Sequence, residues 1–379
     1  MSSKEPYDVA IIGGGLAGLC LAIQCAENGY SVILFEKEEY PFHKVCGEYI
    51  SLESRNFLQG LGMHLDQLNL PIIKTLQLSD TNGKLYKFNL PLGGFGISRY
   101  FLDNALYKIA VAKGVEVWTK TKVNEVVFED DLFAVQTSQQ TIVSKIAAGC
   151  FGKRSNLDVK WNRPFVRQKN NVLNNYIGIK YHIRHLHNPA EISLHNFYNG
   201  YCGISKIEDD KSCLCYLTTA ENLRSSNNSI DELQKKVLYK NPRLKEIFEK
   251  ATFLYEQPLA ISQISFNKKS QVEDHVLLLG DAAGMISPLC GNGMSMAMHA
   301  SKIVFSTIQK YFESKLSRGE MEDQFASEWQ RKFSKRLWMG RTVQRFFGGN
   351  QSTSLFLQTM HSIPFLAKSV IASTHGKPF

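Results

Sequence analysis

Three groups of residues in this sequence have the types and spacing to do chemistry. The first stands near the start. Asp8-Val-Ala-Ile-Ile12 is a short apolar run of the kind that forms a buried parallel strand, and it ends in Gly13-x-Gly15-x2-Gly18. Leu19, Leu21, Ala22, Cys25 and Ala26 then share one helical face, Gly29 closes that helix, and Ser31 to Glu36 reads as a second strand. Strand, glycine turn, helix and strand within about 30 residues make a site for a dinucleotide pyrophosphate. The first glycine permits the tight turn, the second lets backbone approach the phosphates, and the third lets the helix pack close to the strand. The free N–H groups and dipole of the helix start attract the anion. A carboxylate at Glu36 can accept hydrogen bonds from both ribose hydroxyls and would repel a 2′-phosphate, which disfavours NADP here. The expected contacts are Gly13, Gly15, Leu16, Ala17, Gly18, Glu36 and Lys37.

The second group lies far down the chain. His275-Val-Leu-Leu-Leu-Gly280 reads as a strand and runs into Asp281-Ala-Ala-Gly284, then Pro288-Leu-Cys-Gly291-Asn-Gly293-Met294, ahead of a long helix with small residues. This is another anion-binding arrangement. Asp281, at the carboxyl end of its strand, can accept from sugar-like hydroxyls, and Gly291 and Gly293 let backbone come close to a flat ring. The third group is scattered: Lys44-Val-Cys46-Gly47-Glu48 with His43 beside it, Arg99 in Ile97-Ser-Arg99-x2-Leu102-Asp103-x2-Leu106, and Tyr201 in Asn199-Gly-Tyr-Cys-Gly-Ile-Ser205. A cysteine at a helix N-terminus is reactive, whereas a packed one is inert. Both readings stay open for Cys46, as do sheet-core and substrate-facing readings for Tyr201 and a surface salt bridge for Arg99. His43 is the one proton donor that the sequence places beside Cys46, and it reads equally as a plain loop histidine.

Gly280-Asp281-Ala-Ala-Gly284…Pro288-x2-Gly291-x-Gly293 resembles the second FAD motif of the p-hydroxybenzoate hydroxylase superfamily. The resemblance implies that Asp281 holds the ribityl chain and that Pro288, Gly291, Asn292 and Gly293, with Gly280 and Met294 beside them, flank the isoalloxazine. It also implies that the following helix dipole stabilises charge on the reduced ring. The Arg99 stretch resembles a segment whose arginine lies near the FAD pyrophosphate. Ala147-Ala-Gly149-Cys-Phe-Gly152-Lys-Arg154-Ser155 sits where these proteins carry an Asp-Gly motif, with Phe151 in place of the aspartate. Lys44-Val-Cys46-Gly47 resembles the geranylgeranyl reductase-like branch, which implies Cys46 and Gly47 near the flavin. The Tyr201 stretch matches that branch's substrate motif only at the tyrosine. The flavin halogenase motif G-x-W-x-I-P is absent, and no second strand-linked glycine fingerprint marks a separate NAD(P)H domain.

The resemblance implies an α/β fold: a doubly wound Rossmann-like FAD-binding domain, an inserted antiparallel-sheet substrate domain and a helical C-terminus. The FAD-binding pieces are 1–75, 97–165 and 272–320. Strands near 121–128, 131–137 and 140–147 form a meander turning at Glu129-Asp-Asp131. The substrate domain takes 76–96 and 166–271. It includes a hairpin around Asp80-Thr-Asn-Gly83, strands at 176–183, 191–198 and 212–218, and a helix near 230–250. Gly93-Gly-Phe-Gly96 reads as a loop, and 321–379 as helices broken at Gly348-Gly349 and Pro364.

Three functions follow. The first is a reductase passing hydride from reduced FAD to an unsaturated apolar substrate, with Cys46 and Tyr201 as catalytic candidates. The second is a group A monooxygenase that hydroxylates an aromatic or polyene through a C4a-hydroperoxide. The third is a non-catalytic or electron-transfer flavoprotein at a membrane surface. NADPH or NADH, or an electron-donor protein, would supply the electrons.

Composition bounds the rest. The 379 residues are 44% apolar and 21% charged, ordinary for a globular protein. None of the eight cysteines falls in zinc-ligand spacing, so no metal is expected, and a reducing cytoplasm fits them. Met1 to Tyr7 is polar and has no signal-peptide core. The net charge of +9 is concentrated in part at Arg331, Lys332, Lys335, Arg336, Arg341 and Arg345, interleaved with Phe333, Trp338, Phe346 and Phe347. That stretch reads as a solvated helix face, or as a contact with the inner face of a membrane or an anionic ligand site. No nucleic-acid motif accompanies the charge.

Overall fold

The structure is a computed structural model that describes residues 5–167 and 174–379. Met1 to Lys4 of the polar start therefore lie outside the described residues. Strand β1 (Tyr7–Ile12) leads through the glycine turn into α1 (Leu16–Glu27) and β2 (Val32–Phe35). Gly13 has φ +107°, and a Cβ there would stand 2.5 Å from the Cys150 carbonyl oxygen, so no other residue fits the turn. Gly18 brings α1 down onto the strand: its Cβ would lie 2.1 Å from the Gly13 oxygen. The chain continues through β3 (Tyr49–Ser51), α2 (Arg55–Gly60), β4 (Ile72–Ser79), β5 (Leu85–Gly96) and α3 (Arg99–Ala112). The side chain of Ser98 caps α3 by accepting from the Phe101 N–H at 3.1 Å. β6 (Glu116–Trp118), β7 (Val123–Glu129), β8 (Leu132–Thr137) and β9 (Thr141–Gly149) follow. Asp130 and Asp131, both at positive φ, make the tight turn between β7 and β8.

Short helices α4 (Asn156–Lys160) and α5 (Pro164–Arg167) lead to β10 (Asn174–Arg184), β11 (Glu191–Phe197), β12 (Gly200–Lys206) and β13 (Ser212–Thr219). The helix expected near 230–250 is divided. α6 (Ala220–Ser225) precedes α7 (Ile230–Lys236) and α8 (Pro242–Lys250), because Ser229 and Asn241 each cap a fresh start. β14 (Thr252–Phe253), β15 (Leu259–Ser265), β16 (Val272–Glu273) and β17 (Val276–Leu278) complete the strands. The chain ends in α9 (Gly293–Phe312), α10 (Arg318–Gln344), α11 (Asn350–Ser362) and α12 (Pro364–Thr374).

Among the described residues the strands form two sheets. One runs in the order β16-β17-β9-β1-β2-β6, with the β7–β8 hairpin extending from β9. β17, β9, β1, β2 and β6 are mutually parallel, and their carboxyl ends come level: Ile12 pairs with Phe35 and Gly149, and Gly149 with Leu278. The glycine turn after β1 and the Gly280 bend after β17 thus open at the same edge, where ligands bind to open α/β sheets. α1 and α9 cover one face side by side, and Gln24 donates across them to Ser301 Oγ at 3.2 Å.

The second sheet has the order β14-β10-β13-β12-β11-β4-β5-β3, with β15 also on β10. It departs from the expected antiparallel sheet at one seam, since β11 runs parallel to β4. Gly93–Gly96 is likewise strand rather than loop. It carries β5 on between β3 and β4, where Ile50 O, Ile73 O and Lys206 O come too close for any side chain at Gly94, Gly93 or Gly96. No helix among the described residues is long and apolar enough to cross a membrane.

Candidate functional site

Between the two sheets lies a cavity of about 1020 Å³. Its walls include Gly13, Gly15, Leu16, Ala17, Glu36, Lys37, Cys46, Gly47, Arg99, Tyr201, Gly280, Asp281, Pro288, Gly291, Asn292, Gly293 and Met294. Every residue expected from the sequence is thus in one place except Gly18, which packs beneath the turn.

The end at α1 is built for an anion. A Cβ on Gly15 would stand 3.7 Å from Arg99 Nη2 and 3.8 Å from Lys44 Nζ, so two cations flank the exposed backbone. Both are fixed by Asp103, one helical turn beyond Arg99. The guanidinium forks onto its oxygens at 2.7 and 2.8 Å, and Lys44 Nζ sits 3.0 Å away. Arg99 is therefore not a surface pair. Burial would raise the Asp103 carboxyl, but Arg99 and Lys44 outweigh it and hold it low. Glu36, at the end of β2, accepts from the N–H of Gly14 at 3.0 Å and of Glu38 at 3.1 Å. A carboxylate has lone pairs to spare for a diol.

The other end is built for a sugar chain and a ring. Burial raises the Asp281 carboxyl, opposed by Lys269, Arg99 and Lys153. Lys269 donates to the carbonyls of Asp281 at 2.7 Å and Lys153 at 2.8 Å, and burial lowers its ammonium to about 8. Gly291 is left-handed at φ +61° and lies against Tyr49, and α9 begins at Gly293 with its N–H groups toward the cavity edge. Asn292 lines this end too, and its side-chain Nδ2 donates to Thr374 O at 2.8 Å. Paired cations at a glycine turn, a carboxylate at each sugar position and a second helix N-terminus at the ring end all fit FAD.

Cys46 borders the cavity in an extended loop, not at a helix N-terminus. Burial raises its thiol, against the pull of Arg99, so it is a thiol and not an activated thiolate. Its Sγ lies 3.6 Å from Met294 Sδ. His43 is exposed and stacks on Tyr100 at 4.5 Å. Tyr201 is buried on β12 and still borders the cavity, so it faces the sheet core and the candidate substrate space together. Around it the wall is apolar: Ile192, Leu194, Leu217, Ile261, Ile264 and Met285.

Sequence reasoning passed over the group beneath the Cys46 loop. Glu48 is fully buried with φ 56° and pairs with Lys180 Nζ and with His182 Nε2, the latter at 2.6 Å. Burial opposes its ionisation, but Lys180 and His182 outweigh that and hold the carboxyl low. Lys180 and His182 sit two apart on one face of an otherwise apolar strand, and that pattern was the available signal.

A family model described as an FAD binding domain matches residues 6–312. Conditioned medium factor receptor 1 of Dictyostelium discoideum is 24% identical over 377 residues, covering 90% of this chain and 70% of that protein. A digeranylgeranylglycerophospholipid reductase of Methanococcus vannielii is 23% identical over 347 residues, covering 88% and 84%. The solved structure of the flavin-dependent brominase Bmp2 superposes with a TM-score of 0.81 at 18% identity, covering 98% of this chain and 93% of that one.

Proposed function

This chain belongs to the FAD binding domain family and is an FAD-dependent oxidoreductase of the p-hydroxybenzoate hydroxylase superfamily; from that premise we propose that it reduces a carbon–carbon double bond in an apolar, isoprenoid-like substrate. The observation that carries the reading is the apolar wall from Ile192 to Met285 facing the ring end of the cavity, with Cys46 beside it. Resemblance to the Methanococcus reductase supports it.

When bound, FAD supplies the two-electron redox chemistry. The residues of this chain do the rest. Gly15, Arg99 and Lys44 hold the diphosphate, Glu36 the adenosine ribose, and Asp281 the ribityl chain. The N-terminus of α9 favours negative charge at the ring. The aliphatic wall excludes water and takes up an apolar chain. Saturating a double bond needs a proton as well as a hydride, and Cys46 keeps a proton on Sγ at the cavity wall; solvent restores it after transfer. Glu48, Lys180 and His182 hold the Cys46 loop from below. NADPH, NADH or a protein donor supplies the electrons, and a cytoplasmic setting keeps the thiols reduced.

The test is anaerobic. The dithionite-reduced holoprotein is mixed with a geranylgeranyl-chain glycerolipid and the flavin band is followed. Reoxidation with a gain of two hydrogens per double bond supports the reductase. No reoxidation, together with NADPH oxidation in air stimulated by an aromatic compound, would establish a monooxygenase instead. Reoxidation by one-electron acceptors alone would leave an electron carrier.

A further inference from the structure

We propose that the C-terminal helices dock this protein on an anionic phospholipid bilayer, with the Ile363-Pro364-Phe365 corner entering the lipid and the basic face of α10 lying on the headgroups. The first observation is the distribution of charge. After Glu328 the sequence has eight Lys and Arg and no Asp or Glu. The 328 residues before carry 36 basic and 35 acidic side chains, so nearly all of the +9 net charge belongs to this end. Among the described residues, Arg331, Lys335, Arg341, Arg345 and Lys368 have no ion-pair partner; of the cations after Glu328, Arg336 reaches a carboxylate, that of Glu53 at 3.6 Å. Burial lowers the Arg341 guanidinium, and the Arg345 cation nearby acts in the same direction.

The second observation is what lies among those cations. Trp338 is 58% exposed, Leu355 68% and Phe365 82%, with Ile363 beside Phe365 also in solvent. Phe346, part-exposed at the end of α10, stacks on Phe356 of α11 at 5.1 Å and ties the two helices together. Large apolar side chains set among unpaired cations are the composition of an interfacial anchor. The core of a protein–protein interface is depleted of charge instead. At 13 and 11 residues, α11 and α12 are too short to span a bilayer and suited to lie on it.

The third observation is continuity with the site. The opposite faces of the same helices, through Leu357, Met360, Ala367 and Ile371, pack in one cluster with Leu194, Tyr201, Leu217 and Ile264 of the cavity. The docked helices therefore pack behind the apolar wall of the cavity. The inference holds whichever reaction the flavin performs.

The test is co-sedimentation of the full-length FAD-loaded protein with vesicles of phosphatidylcholine alone or mixed with phosphatidylglycerol. Binding to the mixed vesicles that weakens with salt is expected. Phe365→Asp should lower the partition coefficient by about tenfold. Each of Arg341→Glu and Arg345→Glu should lower it by about fivefold or more, on the anionic vesicles only. An unchanged flavin spectrum shows that the variants fold. Absence of binding to mixed vesicles, or binding that Phe365→Asp leaves intact, overturns the proposal. So does a Phe365-dependent dimer in sedimentation without vesicle binding, which would make this face a contact between copies of the chain.

Discussion

Glu48 occupies a left-handed backbone conformation that costs a non-glycine residue about 1–3 kcal/mol, and it holds its carboxylate where water cannot reach it. What offsets this is the fit of its two oxygens. One takes the Arg99 N–H at 2.8 Å and the Lys180 ammonium, and the other His182 at 2.6 Å. Glu48→Gln strands the Lys180 charge, and denaturant unfolding should show a loss of about 3–5 kcal/mol. Adding Lys180→Met removes the stranded cation and should recover part of that loss; a double variant no better than the single one would argue against the pair. Acid should act on the same residue. The carboxyl of Glu48 is held low in the folded state, so its stabilisation is present above the unfolded value and is lost as pH falls through the folded one. His195 works in the same direction. Burial lowers it to about 3, while unfolded histidine titrates near about 6.5, so between those values only the unfolded chain takes the proton. The thermal midpoint should fall steadily as pH drops below about 6.5. His195→Gln should flatten that slope, and a slope unchanged by it would assign the effect elsewhere.

Elements explain which parts of the site could be read from the sequence. β1, α1 and β2 are local: turn, helix face and capping carboxylate fall within about 30 residues, and each residue type answers to a contact nearby. The Gly280–Gly293 bend was legible for the same reason. What was not legible depends on partners distant in sequence. Gly93–Gly96 reads as a loop until Lys206 O and Ile50 O are seen to press on it from other strands. The parallel seam of β4 and β11 joins segments more than a hundred residues apart, and no local pattern announces it. Asn292 was placed beside the ring by its motif. Its side chain also ties the flavin loop to the end of α12 through Thr374 O, while His299 of α9 stacks on Phe379 at 4.1 Å. α12 is thereby a brace for the loop. Asn292→Ala removes a buried hydrogen bond of about 1–2 kcal/mol, and to the extent that the bond orders the loop, FAD should bind about five- to thirtyfold more weakly. Titration of the apoprotein by flavin fluorescence measures this. Unchanged affinity would mean that α12 braces nothing that the cofactor feels.

For the whole molecule, the cavity is lined by both sheets, so whatever fills it touches both. A ligand that binds only the folded chain stabilises it by mass action, about 2.7 kcal/mol at a hundredfold excess over Kd. For a chain of this size that corresponds to a rise of about 3–5 °C in the thermal midpoint. The two ends of the cavity make the measurement specific. The ring and ribityl positions, at Gly291–Gly293 and Asp281, would accept FMN as well as FAD. The adenosine position at Glu36 serves only a dinucleotide whose second half reaches β2, and the cations of Arg99 and Lys44 beside Gly15 would meet two phosphates of FAD but one of FMN. FAD should therefore raise the midpoint well beyond FMN at equal concentration. Glu36→Ala should shrink that advantage without moving the midpoint of the unliganded protein by more than a degree or two. Equal shifts with FMN and FAD would mean that the N-terminal glycine turn does not hold the adenosine half, and the assignment of the whole cavity to a dinucleotide would have to be abandoned.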